Sequence, residues 1–154
     1  MSQTEQARQP AAPPSVAAGF PSNRDFDFFY SGLDSGRLLV QQCRNCGALR
    51  NPPCPMCPDC RSTHWEPVDC APEGTIYSYT IHHHPPLPGL RTPHPIVLAD
   101  MKNGLRLVGA YDGSPTPELR IGAPVTAVVD AQGAIFRFRL AADHDLAETT
   151  GRQK

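Results

Sequence analysis

The chain has 154 residues, of which 40% are hydrophobic and 19% charged, and its formal net charge is −1 at pH 7. That length holds one modest domain or two very small ones. The weakly acidic balance argues against non-specific phosphate-backbone binding, which needs many cationic contacts. No apolar run approaches membrane-spanning length, so no membrane association is expected.

Residues 1–24 carry Pro10, Pro13, Pro14 and Pro21 among Ala, Gln and Ser, and read as a flexible N-terminal arm. They lack a basic segment followed by an apolar one, so they do not read as a signal peptide. A cytoplasmic, reducing setting is therefore expected. In "RDFDFFYSGLDSGRL", Phe26, Phe29, Tyr30 and Leu33 recur at helical spacing. With Asp25 as a cap and a stop near Gly36, the spacing predicts an amphipathic helix over about 25–34, within a unit spanning 25–37. Its aromatic stripe is expected to pack on the neighbouring domain, with Phe28 and Phe29 also candidates for contact with a partner.

Residues 38–70 form a cysteine-rich unit. "CRNCGALRNPPCPMCPDC" places five of the six cysteines in residues 43–60, with Cys70 beyond them. In a reducing setting, clustered Cys-x-x-Cys pairs favour a metal over disulfides. Cys43 and Cys46, followed by Gly47, make one knuckle, in which the backbone N–H groups of the turn point at the sulfurs. The second knuckle is ambiguous, because "CPMC" and "CPDC" share Cys57. Cys57/Cys60 is favoured on two grounds. The residue after "CPMC" is Pro58, which has no N–H to offer, whereas Arg61 after "CPDC" has one. This pairing also leaves ten residues between the knuckles for a hairpin, against seven for Cys54/Cys57. Cys43, Cys46, Cys57 and Cys60 are thus the expected ligands of one structural Zn²⁺ per chain. Cys54 and Cys70 read as small filler, and His64 is only a weak candidate base for a catalytic thiol.

From residue 71 to 140 the pattern is all-β. The strand candidates are "TIYSYTIHH", "PIVLADM", "LRLVGAYD", "PVTAVVD" and "AIFRFRLA", with turn chemistry between them. In the last, Phe136, Phe138 and Leu140 share one face, and Arg137 and Arg139 the other. Five strands in this length suit a small closed barrel. Residues 141–154 read as a polar C-terminal tail. The run His82, His83, His84 leads into "PPLPGLRTP"; only His82 and His84 could share a ligand on a strand, and no carboxylate is placed to orient a ring. The stiff loop is a contact candidate, through Pro86, Leu87 and Arg91. No phosphate loop, nucleophile elbow or paired carboxylates appear, and no catalytic residue is assigned.

The order of these pieces is distinctive: "FDFFYSGLDSGRL", then "QQCRNCGALRNPP" and "CPDC", then "EGTIYSYT", "LRIGAPVTAVV" and "FRF". It resembles the acyl-CoA-associated zinc-ribbon/OB-fold family, long catalogued as a domain of unknown function, over about residues 25–140. The resemblance implies a mainly β protein: a short N-terminal helix, a rubredoxin-like zinc ribbon and a five-stranded OB-fold barrel. It also implies Cys43, Cys46, Cys57 and Cys60 as ligands, with Cys54 at a position where the family commonly has Arg. Members of that family accompany thiolase-superfamily proteins, including two-subunit aldolases of steroid breakdown. Others accompany hotdog-fold acyl-CoA hydratases or bridge acyl-transfer enzymes. An accessory subunit is implied, in a hetero-oligomer with a thiolase-like protein and with acyl-CoA at or near the interface. A competing class is single-stranded nucleic-acid binding, using Tyr77 and Tyr79 on one strand face. The first two barrel strands lack the Lys and Arg that this needs. A free-standing CoA-binding enzyme is a third class.

Overall fold

The computed structural model describes residues 24–86, 92–130 and 135–141. A 3-10 turn at Arg24–Phe26 leads into helix α1, Asp27–Asp34. The helix starts later than expected, and Asp25 does not cap it: the N-cap is Phe26, with no side-chain hydrogen bond. Its end is built as anticipated. Gly36 takes φ +73°, and the N–H groups of Gly36 and Arg37 donate to the carbonyls of Leu33 and Gly32 at 3.0 and 2.8 Å. This arrangement satisfies carbonyls that a helix end otherwise leaves open.

Strands β1 (Leu39–Cys43), β2 (Leu49–Arg50) and β3 (Trp65–Asp69) form a small sheet in the order β2-β1-β3. Strands β4 (Glu73–His82), β5 (His94–Met101), β6 (Arg106–Tyr111), β7 (Pro124–Asp130) and β8 (Ile135–Leu140) close into a barrel in the order β4-β5-β6-β8-β7. All its pairings are antiparallel except β6 with β8, where Ala110 meets Arg137 and Tyr111 meets Phe138. Five strands closed in this order make the OB-fold. Alternation drives it: Phe136 and Phe138 are buried while Arg139 is exposed.

One apolar cluster runs through both parts. Leu33 of α1, and Leu38 and Val40 of the small sheet, join Ile76, Val97, Leu107, Val125 and Phe138 of the barrel. The helix sits between the two sheets. Phe28 packs on Trp65 of β3 at 5.0 Å between ring centroids, and Phe29 meets Phe136 of β8 edge-on at 6.2 Å. Both rings are half-buried in this bridge. A bidentate pair from Arg37 to Asp69 fastens the chain just after the helix to β3.

The strand alternation expected for Tyr77 and Tyr79 is broken. The β4–β5 register shifts between Ile76 and Ser78. Such a bulge adds a residue and re-aims a side chain. Tyr79 pairs with Val97 and is 39% exposed, while Tyr77, 50% exposed, faces Arg106, whose guanidinium lies 3.4 Å from the ring centroid. Both rings remain open to solvent, and that of Tyr77 is capped by Arg106.

Candidate metal centre

The two Cys-x-x-Cys turns are near copies of each other. Cys43 N–H donates to Ala48 O at 2.9 Å, and Cys57 N–H to Ser62 O at 2.8 Å. Gly47 N–H donates to Cys43 O, and Arg61 N–H to Cys57 O, both at 2.9 Å. Each fold-back needs a left-handed residue just after the second cysteine. Gly47 meets that with φ +76° at no steric cost, whereas Arg61 does so with φ +61°.

The turns bring Cys43, Cys46, Cys57 and Cys60 together, with all four sulfurs within 4.8 Å of one another. Cys43 Sγ is 3.5 Å from Cys60 Sγ, and Cys46 Sγ is 3.6 Å from Cys57 Sγ. Tetrahedral coordination at a Zn–S length of about 2.3 Å places sulfurs about 3.8 Å apart. The spacing and the all-thiol donor set fit a structural zinc ion. When bound, zinc supplies folding free energy to this tip; four protein ligands leave no open position for water or substrate.

The protonation pattern of the bare thiols shows why a cation belongs there. Cys43 is lowered to about 6, first by the Cys46 backbone N–H. Cys60 is also lowered, first by the Ser62 N–H. The Ala48 N–H pulls Cys46 down, but the neighbouring thiols and burial outweigh it and push it up to about 12. Four sulfurs this close cannot all ionise without a positive charge among them.

The fifth thiol of the segment lies apart. Cys54 Sγ donates to Met56 O at 3.3 Å and accepts from Arg50 Nη1 at 3.5 Å; no histidine ring is among these partners. Cys70 is buried, its thiol pushed up by burial against a 3.2 Å hydrogen bond from Asn103. His82 Nε2 is 2.5 Å from the Pro85 carbonyl, and His82 pairs across the sheet with His94. Pro86 is exposed, while Leu87 and Arg91 lie outside the described residues. Sequence reading missed Arg50 and Gln41, which are buried at 5% and 2% exposure and paired across β2 and β1. No alternation marked them, since Gln41 is followed by Gln42 and Arg50 by Asn51.

Comparison with known proteins agrees with this architecture. Residues 31–66 match the family model described as "ChsH2, rubredoxin-like zinc ribbon domain", and residues 67–130 match "ChsH2, C-terminal OB-fold domain". A "Probable enoyl-CoA hydratase alpha subunit" of Thermomonospora curvata is 40% identical over 103 residues, covering 67% of this chain and 32% of that protein. The "3-oxo-4,17-pregnadiene-20-carboxyl-CoA hydratase alpha subunit" of Mycobacterium tuberculosis is 34% identical over 69% of this chain and 34% of its own length. The chain thus spans about a third of the length of these curated relatives. Among solved structures, a chain of the "Ltp2-ChsH2(DUF35) aldolase" superposes with TM-score 0.71 at 36% identity, over 79% of this chain and 98% of that one. With both halves matched in order, and the ribbon and barrel built accordingly, the chain belongs to the ChsH2 (DUF35) family of zinc-ribbon/OB-fold proteins.

Proposed function

We propose that this chain is a non-catalytic accessory subunit of an acyl-CoA-processing enzyme, and that its partner is a thiolase-superfamily aldolase or thiolase. The observation that carries the reading is the near end-to-end likeness to the ChsH2 chain of the Ltp2–ChsH2 aldolase. In that protein the matched unit is one named component of a two-component enzyme. The name of the mycobacterial relative adds a steroid-derived acyl-CoA as the substrate class. The local chemistry is compatible: Cys43, Cys46, Cys57 and Cys60 offer a closed metal site, which staples rather than catalyses. A hollow of about 280 Å³ on the barrel is lined by Asp112, Val128, Val129, Asp130, Arg137 and Arg139. It lacks a nucleophile–base pair, and Arg139 is tied to Asp112.

A second reading is a partner subunit of a hotdog-fold enoyl-CoA hydratase, favoured by the names of the two curated relatives. Co-purification separates the two. A hetero-oligomer with a thiolase-like protein, two copies of each, is expected, with no acyl-CoA turnover by the isolated chain. Recovery of a hydratase would keep the accessory role and remove the thiolase partner. Robust hydrolysis, hydration or carbon–carbon cleavage by the isolated chain would remove the accessory role altogether. Contacts are proposed through Phe28, Phe29, Pro86, Leu87 and Arg91. Arg91→Glu is expected to weaken the complex if the loop docks, and an unchanged complex would leave only the helix.

A further inference from the structure

Arg50 is the one fully buried charged side chain among the described residues that has no charged partner in view. It is 5% exposed. Its Nη1 donates to two neutral acceptors of Cys54, the carbonyl at 3.3 Å and the sulfur at 3.5 Å. Its Nε and Nη2 are buried with no hydrogen-bond partner. Other arginines of the chain behave differently: Arg37, Arg44, Arg106 and Arg139 each meet a carboxylate, and do so on the exposed surface. A guanidinium stays charged at any ordinary pH, so burial without a counter-charge is costly.

The four-cysteine centre on the same small sheet offers a counter-charge. Arg50 lies directly opposite Gln41 in the β1–β2 register. Gln41 and Cys43 are two apart on β1, so they share a face and stand about 7 Å apart along the strand. Gln41 holds the other side of this row, its Oε1 accepting the Cys54 N–H at 3.1 Å. The row Cys43, Gln41, Arg50, Cys54 therefore runs from the metal site to the buried cation. Four thiolates around Zn²⁺ carry a net charge of about −2, and Cys43 and Cys57, at 1% and 0% exposure, hold part of that charge away from water. A buried cation and a centre whose charge is partly withdrawn from water stabilise each other more than the same pair in water.

We infer that Arg50 is a positioning residue of the zinc site, the buried cation that offsets the negative charge of the four-thiolate centre, with Gln41 and Cys54 holding it in place. The inference rests on the zinc reading of the four cysteines and not on the proposed partner.

The test is zinc affinity of the full chain, by competition with a chromophoric chelator, together with the absorption of the Co²⁺-loaded protein. Arg50→Gln is expected to weaken zinc about tenfold, and Arg50→Lys, which keeps the charge, to stay within about threefold of wild type. Removing a nearby cation also raises the energy of thiolate electrons, so the sulfur-to-cobalt band should move to longer wavelength in Arg50→Gln and stay in place in Arg50→Lys. A purely structural arginine would alter thermal stability without moving that band. Unchanged affinity and an unmoved band in Arg50→Gln would overturn the inference, as would an Arg50→Lys variant as weak as Arg50→Gln. Should Arg50→Gln not accumulate as folded protein, Gln41→Glu takes its place, since a carboxylate there neutralises Arg50 and faces the centre. Weaker zinc is expected from it. Higher thermal stability with unaltered zinc affinity would mark Arg50 as an unpaired structural cation and overturn the inference. Wild-type protein that binds no zinc would remove the centre itself, a failure distinct from these.

Discussion

The two cysteine knuckles have the same backbone but not the same residues, and the difference has a measurable consequence. Gly47 and Arg61 occupy equivalent left-handed positions. For a residue with a Cβ, that conformation costs about 1–2 kcal/mol, and part of the gain from Gly is offset by its freer unfolded chain. Arg61→Gly is expected to raise stability by about 0.5–1 kcal/mol, read by denaturant unfolding of the zinc-loaded protein, whereas Arg61→Ala should change little. The cysteines themselves give a second prediction. Ser in place of Cys43, Cys46, Cys57 or Cys60 should abolish stoichiometric zinc by elemental analysis, while Cys54→Ser should retain it. Zinc lost with Cys54→Ser but kept with Cys60→Ser would move the second knuckle to "CPMC".

A third residue, His94, couples stability to pH. It is 7% exposed, with Nε2 unpartnered. Burial lowers its pKa, and the charges of Arg137 and His82 lower it further. The folded state thus binds the proton less readily than the unfolded chain, whose value is about 6.5. Its contribution is whole above that pH and is lost as pH falls from there toward the folded value. The melting temperature of wild type should drop over this window, and that drop should be smaller in His94→Gln.

Among the elements, the strand pattern was legible because burial and period coincide. In β8, "IFRFRL" alternates apolar and charged residues, and in β5 the buried Val97, Ala99 and Met101 fall two apart. The bulge before Ser78 was not legible: period-2 reading assumes unbroken register, and nothing in "TIYSYT" marks the extra residue. Arg50 was hidden for a related reason. A lone Arg in a two-residue strand reads as surface until the partner strand is known to bury it. The ribbon also divides energetically along its length. Its base, Leu38 and Val40, belongs to the main apolar cluster, whereas no residue from 50 to 64 does. That tip depends on metal, so chelation should open it locally. Hydrogen exchange after zinc removal is expected to lose protection over about 43–64 while β4 to β8 keep theirs. Simultaneous loss across the barrel would show that metal and barrel fold as one unit.

For the whole molecule, the question is what an OB barrel joined to a zinc ribbon does when both modules elsewhere bind nucleic acid. Fold alone does not decide it; the surface does. A single-strand groove needs open aromatic faces beside free cations. Here the exposed ring of Tyr77 is covered by Arg106, and that guanidinium is clamped by both oxygens of Asp100 at 2.6 and 3.1 Å. Asp100 holds its charge readily, since the Arg106 hydrogen bond lowers its pKa. Arg139, Arg44 and Arg37 are likewise taken by Asp112, Glu66 and Asp69. The net charge of −1 becomes more negative once thiolates bind zinc. Every one of these features removes a term that single-strand binding requires. Fluorescence anisotropy with a labelled oligothymidine should show no binding tighter than about 10⁻⁴ M at physiological salt, the weak end of non-specific affinity. Micromolar binding that weakens steeply with added salt would place the chain in the other class. Asp100→Ala sharpens the result. It frees Arg106 beside Tyr77, so if the covered ring and clamped arginine are what silence this face, the variant should bind the oligonucleotide more tightly than wild type, and an unchanged signal would mean the face never had the geometry for stacking.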